Sequence, residues 1–217
     1  MSKPGKPPKT TKTDILNVAE RLFKIHGYDG TTLQMICDKL DITVPTITYY
    51  FKYKYMILAT LFGNMYRMKH DYVRAHLTED FNYFLYYAII TISAFREILK
   101  TENNWRLFYQ KEHVKYWLEE NMSAIENRYR LITDDFHQGF TADEIRVAAI
   151  LDIGSKLHLV EEFKKGDPFV TAEKFGYYEV YMFGLLSRLD EGTIQRNIKR
   201  AYDFLEKHTL PTIFMLE

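Results

Sequence analysis

The chain has 217 residues and a mass of 25.9 kDa, which is enough for one or two domains. Its 47% hydrophobic content excludes a globally disordered chain, and its one cysteine excludes both a disulfide framework and a cysteine-based zinc site within one chain. No apolar run reaches the roughly 18 residues of a membrane-spanning helix, and no apolar signal core follows the basic start. We therefore expect a cytoplasmic protein with no membrane partner.

The positive charge is concentrated near the start of the chain. Lys and Arg together number 29, as do Asp and Glu, but residues 1–60 carry nine basic and five acidic side chains. Four lysines supply this surplus: Lys3, Lys6, Lys9 and Lys12. Residues 42–60 add Lys52 and Lys54 and contain no acid. This asymmetry favours a polyanionic partner for the first segment of the chain.

Apolar residues recur at helical spacing along most of the chain and predict an all-α fold. Residues 1–12 hold three of the six prolines and no hydrophobic cluster, so we expect a disordered basic arm there. From residue 31 to residue 51 we expect two short helices. The other predicted helices cover about 13–26, 53–77, 81–100, 103–120, 122–138, 143–165, 169–189 and 192–208.

Local signals set the expected helix ends in the first sixty residues. Gly27 is placed to stop the first helix, and the spacing of Thr31 and Gln34 matches a capping box for the second. Asp41 makes a turn. Thr43 can cap a third helix that carries Pro45 in its first turn, where a missing N–H costs little. Residues 31–51 therefore read as helix, turn and helix.

This arrangement matches a helix-turn-helix, which inserts its second helix into the DNA major groove. The helix over 43–51 can bury Ile47 and Phe51 while it turns small and polar groups outward. Threonine hydroxyls can bond base edges or phosphates, and Val44 and Pro45 can contact thymine methyls. The candidate DNA-binding residues are Thr32, Gln34, Thr43, Val44, Pro45, Thr46, Thr48, Tyr49, Tyr50, Lys52 and Lys54. An ordinary helical hairpin is the alternative.

Residues 15–58 resemble the TetR family of transcriptional regulators. The residues that carry the resemblance are AERLF at 19–23, GYDGTT at 27–32, Ile36, and FKYK at 51–54. Three places differ from the usual pattern, of which the first is Cys37, where the family usually has alanine. Asp41 replaces a glycine whose left-handed conformation it can adopt, and Thr48 replaces a tyrosine, so Tyr49 or the Thr48 hydroxyl is the alternative phosphate contact.

The resemblance implies a homodimeric repressor that a small molecule releases from a palindromic operator. After the basic arm at 1–12, it implies a DNA-binding domain at 13–56 and a larger helical domain at 57–217 for effector binding and dimerisation. The linking helix, about 53–77, would move when effector binds. Residues 143–163 are apolar on more than one side, which favours either an interior helix or a subunit interface. With 169–189 as the partner segment, we expect dimerisation through about 143–189.

Aromatic residues at helical spacing are candidates for an effector pocket, although core packing is the alternative for each of them. The candidate effector-binding residues are Tyr66, Trp105, Phe108, Tyr109, His113 and Tyr116. No pair among the seven histidines has the i, i+4 spacing of a zinc helix, so we expect no metal and no other cofactor. No nucleophile motif or phosphate loop suggests an enzyme. The remaining alternative is a TetR-like protein that lacks operator binding and acts through a protein partner.

Overall fold

The computed structural model describes residues 10–77, 81–109 and 111–216, with the backbone alone for 111–121 and for Phe214. Within these ranges the chain forms ten α-helices, one 3₁₀ helix and no strand, which confirms the all-α prediction. The α-helices are α1 (Lys12–Gly30), α2 (Leu33–Leu40), α3 (Val44–Tyr50), α4 (Lys54–His76), α5 (Tyr83–Ile98), α6 (Glu102–Phe108), α7 (Lys111–Asp135), α8 (Ala142–Lys165), α9 (Ala172–Leu186) and α10 (Glu191–Lys207). The 3₁₀ helix is Phe214–Leu216. None of the described helices is long and apolar enough to cross a bilayer.

Two details of the predicted helix ends need correction. The N-cap of α2 is Thr32, whose hydroxyl accepts the Met35 N–H at 3.2 Å, so the expected pair of Thr31 and Gln34 forms no capping box. Thr31 is instead buried and its hydroxyl donates to the Gly27 carbonyl at 2.8 Å. The expected break near residue 121 is also absent. Residues 111–135 form one helix, because this segment contains no Gly or Pro that would interrupt it.

Gly27 interrupts α1 as predicted. Its φ of 70° and ψ of 175° lie outside the helical region, so the regular helix stops at His26 and a further turn reaches Gly30. Glycine suits this backbone because a Cβ would be strained at positive φ. The last turn then delivers the chain to Thr31 and the start of α2.

Helix α5 is the centre of the larger part of the molecule. Every residue from Phe84 to Phe95 is buried, since α9 and α10 cover one side of the helix and α4, α6 and α7 contact the rest. A helix that is buried all round needs apolar residues on every face, which the segment YFLYYAIITISAF supplies. This central position lets α5 contribute a wall to any space between α4 and α7.

Two hydrophobic cores meet at α4. The first core contains Ile36 and Ile47 of the helix-turn-helix and extends to Ile57 and Leu61 of α4. This core therefore includes residues on both sides of residue 56, where we expect the DNA-binding domain to end. The end of the chain joins the same core by packing on α1, and the Asn104 amide donates to the Leu216 carbonyl at 3.1 Å. The second core contains the far end of α4. One rigid helix therefore touches both cores.

Candidate nucleic-acid interface and effector cavity

The turn between α2 and α3 is fixed by one left-handed residue and one apolar anchor. Asp41 has φ 52° and ψ 49°, the conformation expected of it as the replacement for a glycine. The N–H groups of Asp41 and Ile42 both donate to the Cys37 carbonyl, which closes the end of α2. Ile36, Cys37 and Ile47 are fully buried beneath the turn. The backbone therefore holds α3 in a fixed orientation against α2.

Helix α3 presents an uncharged face made of hydroxyls and apolar groups. Ile47 is fully buried, whereas Thr43, Pro45, Thr48 and Tyr49 are exposed, and Tyr49 is 83% exposed. Val44 and Thr46 are half-buried. The Thr43 and Thr46 hydroxyl oxygens lie 3.3 Å apart, and the Thr48 hydroxyl donates to the Pro45 carbonyl at 3.1 Å. This face has no charged group to exclude bases or phosphates.

Two of the predicted DNA-binding residues make contacts inside the protein. The Tyr50 hydroxyl donates to the Thr10 carbonyl at 3.1 Å and ties the end of α3 to the start of the described chain. The Lys54 ammonium donates to the Tyr28 and Thr31 carbonyls at 2.8 and 2.9 Å and lies 4.0 Å from the Tyr28 ring centroid. Lys54 therefore fastens α4 to the end of α1.

The other three predicted residues are exposed beside α3. Thr32 caps α2, Gln34 donates to the Asp38 carboxylate at 2.7 Å, and Lys52 is exposed with its ammonium 5.3 Å from the Tyr53 ring centroid. Residues 1–9 of the predicted basic arm lie outside the described residues.

A cavity of about 710 Å³ lies between α4, α5, α6, α7 and α8. Its lining residues include charged, aromatic and aliphatic side chains: Gly63, Tyr66, Arg67, His70, Asp71, Arg74, Tyr83, Tyr86, Tyr87, Ile90, Thr91, Phe95, Phe108, Tyr109, Ala124, Asn127, Arg128, Leu131, Ile153, Lys156 and Leu157. Arg67, Asp71 and Arg74 of α4 are exposed, so this wall lies at the opening of the cavity. The volume falls within the range of small-molecule sites, about 300–1,000 Å³.

The predicted effector residues divide into three groups. Tyr66, Phe108 and Tyr109 line the cavity. Trp105 is not a lining residue, because its ring packs edge-on against Phe163 with the centroids 6.4 Å apart. The side chains of His113 and Tyr116 lie outside the described residues.

Sequence reasoning missed the ionisable lining residues of α4, α7 and α8. In α4 they follow helical spacing, since Arg67, His70, Asp71 and Arg74 are three or four residues apart on one face. Attention to aromatic residues alone hid this pattern.

Burial controls the protonation of the inner wall. It raises the pKa of both Tyr66 and Tyr87 to about 12, so both phenols keep their protons near neutral pH. Burial, followed by the charges of Arg128 and Arg74, lowers the pKa of His70 to about 4. The neutral imidazole lies 2.7 Å from the Tyr86 hydroxyl through Nδ1. The wall therefore offers hydrogen-bonding groups that carry no charge.

A buried ionic cluster lies behind this wall. The Lys156 ammonium is 2.9 Å from Glu179 Oε2 and 3.9 Å from Asp152 Oδ2, and both carboxylates are buried. Burial raises the Glu179 pKa to about 7, although Lys156 opposes that rise. Burial acts to lower the Lys156 pKa, but the two carboxylates outweigh it and the pKa is raised. The lysine charge is therefore matched within the protein.

The outer face of α8 is apolar and exposed. Val147, Ile150 and Leu151 are exposed by 54%, 50% and 53%, and Leu185 of α9 is exposed by 43%. The three α8 residues share a helix face because Ile150 and Leu151 follow Val147 by three and four positions. These four exposed residues lie within residues 143–189, the segment through which we expect dimerisation.

Comparison with known proteins bears on the N-terminal helices first. Residues 15–61 match the family model described as bacterial regulatory proteins, tetR family. These residues belong to the TetR family. They contain most of α1, all of α2 and α3, and the start of α4, with the exposed α3 face described above. No curated protein matches the chain.

The whole TetR-like chain also resembles solved structures in fold. SmeT, the repressor of the Stenotrophomonas maltophilia multidrug efflux pump SmeDEF, is 18% identical with a TM-score of 0.53, over 83% of this chain and 91% of SmeT. RolR without ligand is 15% identical with a TM-score of 0.59, over 93% of this chain and 100% of RolR. A SmeT–triclosan complex is 16% identical with a TM-score of 0.51, over 80% of this chain and 89% of the chain in that complex. At these identities the likeness concerns the fold.

Proposed function

We propose that this protein is a dimeric transcriptional regulator that binds operator DNA through α3 and is released by a small molecule. The observation that carries the proposal is the exposed, uncharged face of α3 on a TetR-family helix-turn-helix. In this proposal residues 13–56 bind DNA and residues 57–217 bind effector and a second copy. The protein acts by binding and not as an enzyme.

The chemistry of α3 suits direct contact with base edges. Threonine hydroxyls at 43 and 48 donate or accept hydrogen bonds, and the exposed Pro45 ring suits a thymine methyl. Tyr49 projects furthest and can reach a phosphate or a base. Lys52 carries an exposed positive charge two residues after α3, so it serves as a phosphate contact. Thr32 at the first turn of α2 can add a further backbone contact.

The apolar face of α8 supports dimerisation. Val147, Ile150 and Leu151 form an exposed apolar strip on α8 that a second copy would cover with the same strip. A symmetric dimer presents two copies of α3, and a palindromic operator presents two half-sites. Successive major grooves on one face of B-DNA are about 34–36 Å apart, and the dimer must match this spacing.

Helix α4 supports a link between the cavity and DNA. Its Lys54 holds the carbonyls of Tyr28 and Thr31, while Tyr66 and His70 line the cavity further along the same helix. A ligand that shifts α4 therefore changes the position of the helix-turn-helix relative to its twin. The coupling must be reciprocal, so operator DNA weakens the effector by the factor by which the effector weakens DNA.

The test compares binding to DNA from the region upstream of the protein's own gene with binding to a shuffled duplex, by fluorescence anisotropy at two salt concentrations. We expect a salt-sensitive preference for the upstream DNA, and Tyr49→Ala should lower that affinity by about five- to a hundredfold, the range for loss of a base contact. Phe169→Ala is the matched control, because Phe169 is another highly exposed aromatic residue and lies in the α8–α9 connection.

Two results would contradict direct operator binding. One is equal affinity for the upstream and shuffled duplexes, and the other is equal loss from Tyr49→Ala and Phe169→Ala. If regulation in cells survives Tyr49→Ala together with Lys52→Ala while DNA affinity is absent, the protein acts through a protein partner instead.

A further inference from the structure

Among the described residues, the cavity wall carries more positive charge than nearby carboxylates neutralise. Arg67, Arg74 and Arg128 line the cavity, and none of them has a carboxylate within 4 Å in the described part of the chain. Asp71 is the one acidic residue among the described lining residues. Lys156 also lines the cavity, but Asp152 and Glu179 already match its charge. The unmatched charge therefore belongs to the guanidinium groups.

Arg128 is the innermost of the three guanidinium groups. Its side chain is half-buried, whereas Arg67 and Arg74 are exposed, and its Cζ lies 5.0 Å from the centroid of the Tyr87 ring. Arg67 is held by an Asn64 hydrogen bond at 2.7 Å on the outer side of α4. Within the described residues, Arg128 thus has an aromatic partner and no carboxylate within 4 Å. Charge-assisted hydrogen bonds to a guanidinium are strong in a partly dehydrated site.

The lowered pKa of His70 is a second sign of positive charge in the cavity. Its imidazole is held neutral, because burial and the nearby charges of Arg128 and Arg74 lower its pKa to about 4. The charges of Arg128 and Arg74 therefore act together on the α4 wall, where among the described residues the Asp71 carboxylate opposes them. An anion placed between them and His70 would meet two guanidinium groups and a neutral hydrogen-bonding group.

Most of the remaining described lining is apolar or aromatic, apart from the polar Thr91 and Asn127. Phe95, Phe108 and Ile153 are buried, and Leu131 and Leu157 add aliphatic surface. A ligand that fills about 710 Å³ must therefore bury a hydrophobic body while it keeps its polar group near α4 and α7. A small inorganic anion would leave this apolar surface uncovered.

We propose that the cavity binds an organic anion with one acidic headgroup on an aromatic or aliphatic body, and that Arg128 binds the headgroup. The inference rests on the proposed function, since it names the chemistry of the effector. Arg74 supports the headgroup from α4, and the body lies against α5, α6 and α8.

The test uses two fluorescent probes of nearly the same shape. The anion 1-anilinonaphthalene-8-sulfonate carries a sulfonate that the neutral N-phenyl-1-naphthylamine lacks. We expect the purified full chain to bind the anion about tenfold more tightly, and Arg128→Gln to remove that preference without changing the affinity for the neutral probe. Arg128→Lys, which keeps the charge, should keep part of the preference.

Arg130→Gln is the matched control, because Arg130 is exposed on the same helix and is not a lining residue. Leu131→Trp fills the cavity and should abolish the binding of both probes, which locates them there. Circular dichroism melting checks that each variant is folded.

Several results would overturn the inference. They are equal affinity for the two probes, tighter binding of the neutral probe, an equal loss of both probes in Arg128→Gln, and anion binding that survives both Arg128→Gln and Leu131→Trp. The titration contains no DNA. Its failure would therefore leave operator binding intact, and a failure of the Tyr49→Ala test would leave the probe results unaffected.

Discussion

The helices before α4 and the helices after it bury different kinds of group. Before α4, the one buried polar side chain of the described residues is Thr31, which is satisfied by the Gly27 carbonyl. From α4 onwards the protein buries the ionisable residues Lys69, Asp152 and Glu179. It also buries a set of neutral polar residues there: Thr91, Ser93, Asn104, Thr133, Ser187, Thr193 and Asn197.

The contrast separates a scaffold from a binding interior. An apolar core holds α1, α2 and α3 in one geometry and leaves the reactive chemistry on the outer face of α3. A buried charge costs several kcal/mol unless it is paired, so the polar groups of the second part need specific partners. Where the described residues supply none, as for the hydroxyl of the cavity residue Tyr109, a ligand can supply one. The difference can be tested by removing partners in each part.

The largest effect should come from the buried pair between α4 and α5. The Lys69 ammonium is fully buried and lies 3.0 Å from both Glu97 oxygens and 2.9 Å from the Ser93 hydroxyl. Glu97→Ala leaves that ammonium without a countercharge, so we expect the free energy of unfolding to fall by about 3–5 kcal/mol. Urea unfolding followed by circular dichroism measures the change.

The control for this prediction removes both charges at once. The double variant Lys69→Met with Glu97→Ala buries no charge, so it should recover most of the lost stability. A loss below about 1 kcal/mol in Glu97→Ala, or a double variant no more stable than the single one, would mean that the C-terminal part tolerates an unpaired charge.

The second prediction concerns pH and Glu179. Burial raises its pKa in the folded protein to about 7, above the ordinary value of 4.5, so the folded chain holds a proton that the unfolded chain releases. The contribution to stability is complete below about pH 4.5 and is lost as the pH rises to about 7, by at most about 3 kcal/mol. The Glu179→Gln variant lacks this ionisable carboxyl group, so position 179 does not titrate in it. The free energy of unfolding of the natural chain should therefore fall relative to that of the variant between pH 4.5 and pH 8.

Glu144 supplies a control with the opposite sign. Hydrogen bonds from the Thr141 backbone, the Arg188 side chain and the Thr141 hydroxyl lower the pKa of this exposed carboxyl to about 2. Its contribution is present above about pH 4.5 and is lost as the pH falls towards 2. Glu144→Gln should thus change the pH profile in acid alone. A Glu179→Gln profile parallel to that of the natural chain from pH 4.5 to pH 8 would refute the assignment for Glu179.

The helix-turn-helix could be predicted from sequence because short-range rules fix it. Gly27, Asp41 and Pro45 each act on the backbone within a few residues, and all three do what the sequence predicts. The family resemblance at 15–58 agrees with the matched range of 15–61. The capping error at Thr31 arose because two adjacent threonines fit the cap, and only the burial of Thr31 against Gly27 decides between them.

The cavity could be predicted only in part, because five helices from distant segments build it. Aromatic spacing correctly indicated Tyr66, Phe108 and Tyr109, but the same rule selected Trp105, which packs against Phe163. Spacing identifies a helix face and does not identify the partner of that face. Arg128 illustrates the limit, since nothing local distinguishes it from the exposed Arg130 two residues later.

The smallest effect separates scaffold from surface within the N-terminal part. Thr32 and Thr43 are both N-caps and both candidate DNA contacts, yet only Thr32 accepts a backbone N–H, that of Met35 at 3.2 Å. Thr32→Ala should therefore lower the free energy of unfolding by about 1 kcal/mol, and Thr43→Ala by clearly less. Operator affinity should show the reverse order, because Thr43 lies at the start of the exposed face of α3. Thermal melts rank the two variants by stability, and fluorescence anisotropy ranks them by operator affinity. If the same variant showed the larger loss in both measurements, stability and DNA contact would not be separated in this domain.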